Sequence, residues 1–308
     1  ANFHNQDTVD FNLSKMNLKS KSLGHWKFND SSKFYRYGNQ FYFPEIIFEN
    51  KNQRVSIDGN LGKNSDDNLN ISFEKFDLKN ITTLIKANTN NFNVDGTVNA
   101  DFELSSVNSK IDFTSKLKVN ELAVNDHPIG DLTMNSKWKN SSKRLILSGG
   151  LSSKENIENI SIQNSFLDLE DNQNKITGNL LINNFKIDFL SPFLPSTVLT
   201  DLKGSLDGEV SIEGVIDDPD LNGSLILSDG SISLTDLGTK FLIDGPINIE
   251  PNNIEIINAD IYDKFNTLGK FSGFYNHNNF SKYSFNFVTQ FNEPFQVMNN
   301  DYENNPNY

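Results

Sequence analysis

The chain has no cysteine among its 308 residues. Neither a disulfide framework nor a thiolate metal site can form, and the composition suits an oxidising compartment, where a stray thiol is a liability. No stretch approaches the roughly 18 consecutive apolar residues of a transmembrane helix. Positive charge is scarce: 27 Lys and Arg face 40 Asp and Glu, for a formal net charge of −13. That balance argues against a nucleic-acid partner, which needs a basic face. The catalytic signatures G-x-S-x-G and H-E-x-x-H are missing, as are the P-loop and G-x-G-x-x-G. His4, His25, His127 and His277 have no second ligand at metal-binding spacing. Asp217-Asp218-Pro219-Asp220 is an acidic cluster that could attract a hard cation, but it lacks EF-hand spacing and leads straight into a strand pattern. No metal site, no cofactor and no enzymatic activity are expected. The start at Ala1-Asn2-Phe3-His4 carries no signal peptide. With the ending at Asn307-Tyr308, it reads as a segment of a longer polypeptide whose anchor and targeting signal lie outside it.

What the chain does have is phenylalanine, 25 residues of it, against 3 Met and 2 Trp. The polar filler is Asn, Ser, Lys and Asp. Such a composition opposes helix and suits strands joined by turns. Residues 201–249 are the clearest case. Leu202, Gly204, Leu206, Gly208, Val210, Ile212 and Gly214 alternate with polar positions. So do Leu221, Gly223, Leu225 and Leu227, then Ile232 and Leu234, then Phe241, Ile243, Gly245, Ile247 and Ile249. Period 2 marks strands with one dry and one wet face. Asp217–Asp220 reads as a loop and Asp229-Gly230 as a two-residue type I′ hairpin turn. Asp58-Gly59 reads as a bulge inside a strand, and a parity change predicts another near Ile257. Short helical turns are expected at 77–86 and in the Pro-interrupted knot 185–199.

The pattern repeats. Phe76-Asp77-Leu78, Gly96, Ala100–Leu104, Ile111–Val119 and Leu122–Val124 match Phe185-Lys186-Ile187, Gly204, Gly208–Ile212, Leu221–Leu227 and Ile232–Leu234. Phe76 to Phe185 is 109 residues and Gly96 to Gly204 is 108. A repeated meander of this size points to an extended, quasi-one-dimensional architecture. The division expected is 1–75 as an N-terminal part, 76–184 as a first repeat and 185–308 as a second.

Residues 185–308 also carry a family resemblance. The ordered motifs are Pro192-Phe193-Leu194-Pro195, Gly204-Ser205-Leu206-Asp207-Gly208, Ile212-Glu213-Gly214, Asp218–Gly223, Leu227–Gly230, Leu237-Gly238, Ile261-Tyr262-Asp263, Gly269–Gly273 and Phe295–Asn300. In this order they resemble the C-terminal domain of the TamB family (translocation and assembly module subunit, AsmA-like superfamily), truncated at its C-terminal end. The resemblance implies an all-β fold: an elongated, mainly antiparallel, twisted sheet folded into an open trough, or β-taco, with a hydrophobic interior. It further implies a periplasmic lipid conduit of Gram-negative bacteria, attached to the inner membrane through a segment not present here. The partners implied are phospholipid acyl chains and an outer-membrane barrel protein of the BamA/TamA type. The trough-facing residues are then Val98, Phe102, Leu104, Leu117 and Val119 in the first repeat. In the second they are Leu206, Val210, Ile212, Leu225, Leu227, Ile232, Leu234, Phe241, Ile243, Ile247 and Ile249. Two other readings stand beside this one: an assembly factor that pairs its strand edges with barrel proteins, and a closed sandwich or solenoid acting as a binding or adhesin module. Whether anything covers the apolar face separates them.

Overall fold

The computed structural model describes residues 2–5, 8–20, 24–28, 32–62, 64, 66–79, 93–107, 110–153, 157–169, 174–193, 199–278 and 282–299. The fold is all-β and antiparallel. Among the described residues helix is confined to a 3₁₀ stretch, Asp188–Phe193, within the knot at 185–199, and to Leu78-Lys79. The helical turn expected over 77–86 falls outside the described residues beyond Lys79. Two compact units are present: residues 1–156 with 166–172, and residues 157–165 with 173–308.

The first unit contains β1 (Asn2–Asn5), β2 (Thr8–Leu13), β3 (Met16–Ser20), β4 (Gly24–Phe28), β5 (Ser32–Tyr37) and β6 (Gln40–Asn50). It continues with β7 (Gln53–Leu61), β8 (Asn68–Asp77), β9 (Val94–Val107), β10 (Lys110–Val124), β11 (His127–Lys139) and β12 (Arg144–Ser152). From β5 to β12 each strand pairs antiparallel with the next. β2 joins at β5, and β1 at β2. The β3–β4 hairpin attaches to β6 through Lys27 opposite Glu49. It folds onto the apolar face, where Trp26 stacks on Phe76 at 5.1 Å and Phe28 packs on Phe48 at 5.5 Å. Burying a large side chain contributes about 1.5–3 kcal/mol, so these two rings hold the hairpin in place.

β13 (Glu158–Asp168) straddles the boundary between units. The second unit is a plain meander: β14 (Lys175–Lys186), β15 (Leu199–Val215), β16 (Asp218–Leu234), β17 (Thr239–Glu250), β18 (Asn253–Tyr262), β19 (Leu268–Asn278) and β20 (Lys282–Phe291). Each pairs antiparallel with the next. Among the described residues nothing joins β14 to β20, so this sheet stays open.

Asp229-Gly230 is not a hairpin. β16 runs through it, and only the register shifts, between Leu227 and Gly230. A type I′ turn needs left-handed φ at two successive residues. Here Asp229 alone has it, at 51°. The pair that meets the requirement is Asn125-Asp126, at 50° and 65°, which turns β10 into β11. Glu121 (φ 54°) does for β10 what Asp229 does for β16, so the expected strands Ile111–Val119 and Leu122–Val124 are one strand with a bulge. The predicted bulge near Ile257 is present, between Ile256 and Ala259. Asp58-Gly59 lies in β7 as expected of a strand, but the extra residue sits opposite, between Phe43 and Ile46 of β6. Gly59 is needed there because a Cβ would lie 2.1 Å from the Asn68 carbonyl oxygen. The expected loop at 217–220 shrinks to a turn at Ile216-Asp217, and Pro219 sits in the second position of β16, opposite Gly214.

A bulge frees a backbone N–H from the ladder, and the fold answers with a side chain from the next strand. The Lys75 N–H donates to Asn99 Oδ1 (3.0 Å), Glu121 to Asp131 Oδ1 (2.8 Å), Asn184 to Asp207 Oδ1 (2.8 Å) and Asn258 to Ser272 Oγ (2.8 Å). All four donors have left-handed φ, between 45° and 54°. The repeat is visible in this device. Lys75 and Asn184 lie 109 residues apart, and their acceptors Asn99 and Asp207 lie 108 apart. The positive-φ pairs Gly96/Gly204 and Glu121/Asp229 also keep an offset of 108.

The Asn184–Asp207 hydrogen bond is exposed, so its loss costs the net value of a hydrogen bond rather than a burial penalty. Asp207→Ala is therefore expected to lower the unfolding free energy in urea by about 0.5–1.5 kcal/mol. Asp207→Asn, which keeps an acceptor oxygen, retains most of it. The exposed neighbour Glu209→Ala is the control; equal losses from Asp207→Ala and Glu209→Ala would remove the acceptor role.

Candidate functional site

Bulges reset side-chain parity, and apolar residues in the second unit follow the reset. In β16, Leu225 and Leu227 precede the bulge and Ile232 and Leu234 follow it. In β18, Ile254 and Ile256 precede and Ile261 follows. All seven line one cavity of about 640 Å³, within the range of small-molecule ligand sites. From the sheet come also Leu202 and Leu206 of β15; Phe241, Ile243, Ile247 and Ile249 of β17; Phe271 of β19; and Phe287, Thr289 and Phe291 of β20. The remaining apolar lining comes from outside the sheet: Ile187 and Leu190 before β15, Leu237 in the β16–β17 turn, and Phe295 and Val297 after β20. Lys203, Ser231 and Thr289 are the lining residues with polar side-chain atoms, and no carboxylate lines the cavity.

The segment after β20 is fastened at several points. The Phe295 ring stacks on Phe291 at 4.4 Å and on Phe241 at 6.0 Å. The Asn299 N–H donates to the Leu237 carbonyl oxygen at 2.9 Å. The third point is Asp263, 2% exposed. Its Oδ1 accepts from the N–H groups of Phe265 (2.9 Å) and Thr267 (2.8 Å), and its Oδ2 from that of Gln296 (2.8 Å). Burial acts to raise the pKa of this carboxyl. The N–H donors of Gln296, Thr267 and Phe265, with the Thr267 hydroxyl, outweigh burial and hold it below the ordinary carboxylate value. The carboxylate thus ties the β18–β19 turn to the segment that closes the cavity.

Nine of the eleven second-repeat residues named from sequence line the cavity: Leu206, Leu225, Leu227, Ile232, Leu234, Phe241, Ile243, Ile247 and Ile249. Val210 and Ile212 lie farther along the same face of β15, Val210 buried and Ile212 half-buried, and neither reaches the cavity. The five first-repeat residues have a different setting. Val98 and Val119, paired across β9 and β10, are 2% and 3% exposed and form a closed cluster with Trp26, Phe76 and Ala100. Phe102 and Leu117 pack against that cluster, and Leu104 is half-buried opposite Leu69 and Phe113. Sequence reading missed the walls supplied from outside the sheet, notably Leu190, Leu237, Phe295 and Val297. Their signal was faint: Leu237-Gly238 and Phe295-Gln296-Val297 are too short to establish a period. Among the described residues no group of three or more His, Cys, Asp or Glu is placed to hold a metal ion.

An antiparallel, open-sheet protein with an apolar, ligand-sized cavity is the class these observations define. The chain belongs to the TamB family: residues 2–227 match the family described as TamB, N-terminal domain. The match covers the whole first repeat but only residues 185–227 of the second, ending at Leu227 within β16. Residues 185–227, the first part of the stretch read as C-terminal-domain-like, therefore fall within an N-terminal-domain match, and nothing in that match supports the C-terminal assignment. No curated protein and no solved structure matches the chain. The family is a transport and assembly module, periplasmic and membrane-anchored in Gram-negative bacteria, rather than a known enzyme family. Among the described residues no helix is long and apolar enough to cross a membrane.

A carboxyl with a depressed folded pKa contributes stability above its unfolded value of about 4, and that contribution is lost as pH falls through the folded value. The Gln296 amide should therefore keep constant hydrogen-exchange protection from pH 7 to 5 and lose it progressively below about pH 4. Asp263→Ala should remove the protection at every pH. Protection that survives Asp263→Ala would mean that the stacked Phe295 ring alone holds the segment.

Proposed function

We propose that this chain is part of a periplasmic lipid conduit, carrying phospholipid between inner and outer membranes with its acyl chains against the apolar face of the sheet. An inner-membrane anchor outside this segment belongs to that reading. The observation that carries it is the cavity of the second unit, about 640 Å³ and walled almost wholly by aliphatic and aromatic side chains. Each methylene withdrawn from water contributes about 0.8 kcal/mol, and a wall without directional partners lets a chain slide without breaking hydrogen bonds. Family membership supports the same reading at the coarser level of transport and assembly.

A second reading, an assembly factor that pairs its edge with a barrel protein of the BamA/TamA type, rests on β20. Among the described residues this strand pairs only with β19, and it exposes Phe285 (62%) on one face and Val288 (53%) on the other. An unblunted apolar edge of this kind is a template for strand addition.

The purified chain is expected to carry phospholipid detectable by native mass spectrometry and to take up a fluorescent acyl probe. Leu227→Asp and Ile243→Asp each place a carboxylate in the cavity wall and should cut uptake about tenfold or more. Lipid-free protein that takes up no probe would sink the conduit. Uptake that survives both substitutions would move the lipid to another face.

A further inference from the structure

Lys203 is the one charged residue in the cavity lining. The residue is exposed, and a lysine in an apolar lining can cover apolar surface with its stem while keeping its ammonium in water. Among the described residues it has no ion-pair or side-chain hydrogen-bond partner, although acidic residues are plentiful in a chain of net charge −13. The internal repeat indicates that the fold does not require this lysine. Gly204 corresponds to Gly96, so Lys203 corresponds to Asp95, which has the opposite charge and is paired with Lys79. The first unit thus closes this position with an ion pair, whereas the second leaves a free cation beside an apolar cavity.

Resting on the lipid-binding reading above, we infer that the second unit selects anionic amphiphiles and that Lys203 is the residue that reads the headgroup. An alkyl chain lies in the cavity, and a phosphate or carboxylate at its end meets the ammonium at the margin. With no carboxylate in the lining, one positive charge sets the preference. It acts as a mobile point charge and not as a bidentate fork, so it discriminates by charge more than by shape. An ion pair this exposed is weak, which suits a conduit that must release what it binds.

The test uses the whole chain and three probes of equal chain length below their micelle concentrations: dodecyl phosphate, dodecanoate and dodecanol. Affinities come from displacement of a fluorescent acyl probe at low and high salt. In the wild type at least one anion should bind roughly 3- to 5-fold more tightly than the alcohol, and added salt should shrink that ratio. Lys203→Gln should bring the ratio to about one, and Lys203→Glu should invert it. A ratio unchanged in Lys203→Gln overturns the assignment, as does an equal loss for all three probes, which would make the lysine only part of the wall. Failure of all three probes, dodecanol included, would overturn the lipid-binding reading itself. If the anions bind selectively, the stronger of the two tells a phosphate headgroup from a fatty-acid carboxylate.

Discussion

A peptide N–H that leaves the β-ladder must find another acceptor, and much of this protein's form follows from that demand. Lys75, Glu121, Asn184 and Asn258 each occupy left-handed φ at a bulge, and each donates to Asn, Asp or Ser on the neighbouring strand. The bulge sharpens local twist and bends the strand. It also resets parity, so Leu227 and Ile232 face the same way although they are five positions apart and simple alternation puts same-face residues an even number of positions apart. An apolar face can thus continue through the bend. Without the side-chain acceptors, the bend would leave these exposed donors to water alone.

The two repeats use this common plan to different ends. In the first unit, the β3–β4 hairpin brings Trp26 and Phe28 down on the apolar face, and Val98 and Val119 end in a sealed cluster. In the second unit no such hairpin precedes the corresponding strands among the described residues. A 3₁₀ turn and the segment after β20 border the apolar face, and between them and the sheet lies a cavity. The difference between a core and a binding site here is one of cover, since the strand pattern beneath is nearly the same.

Cover also brings in the polar groups that matter. Asp263 uses its charge to fasten backbone rather than to meet a ligand, which explains a buried carboxylate that stays ionised beside an apolar cavity. Lys203 does the reverse, remaining unpaired where its repeat counterpart Asp95 is matched by Lys79. Structural and ligand-facing charges are told apart by their partners more than by their burial.

Alternation is a local property, and it was enough to define an all-β chain, the strand faces, the repeat and nine of the residues that line the cavity. Leu206, Leu225, Leu227, Ile232, Ile243 and Ile247 could be named without coordinates because period 2 assigns a face whatever the strand packs against. Two things lay beyond it. Asp229-Gly230 satisfies both a turn and a bulge by composition, and only the pairing of β16 on both sides settles which of them forms. The lids were out of reach for a deeper reason. That Trp26 covers Val98 while Phe295 lies against Phe241 depends on contacts between residues more than fifty positions apart, and no periodicity encodes such distances. The sequence by itself determined which side of each strand is greasy. The tertiary structure decided which greasy side is sealed and which still has room.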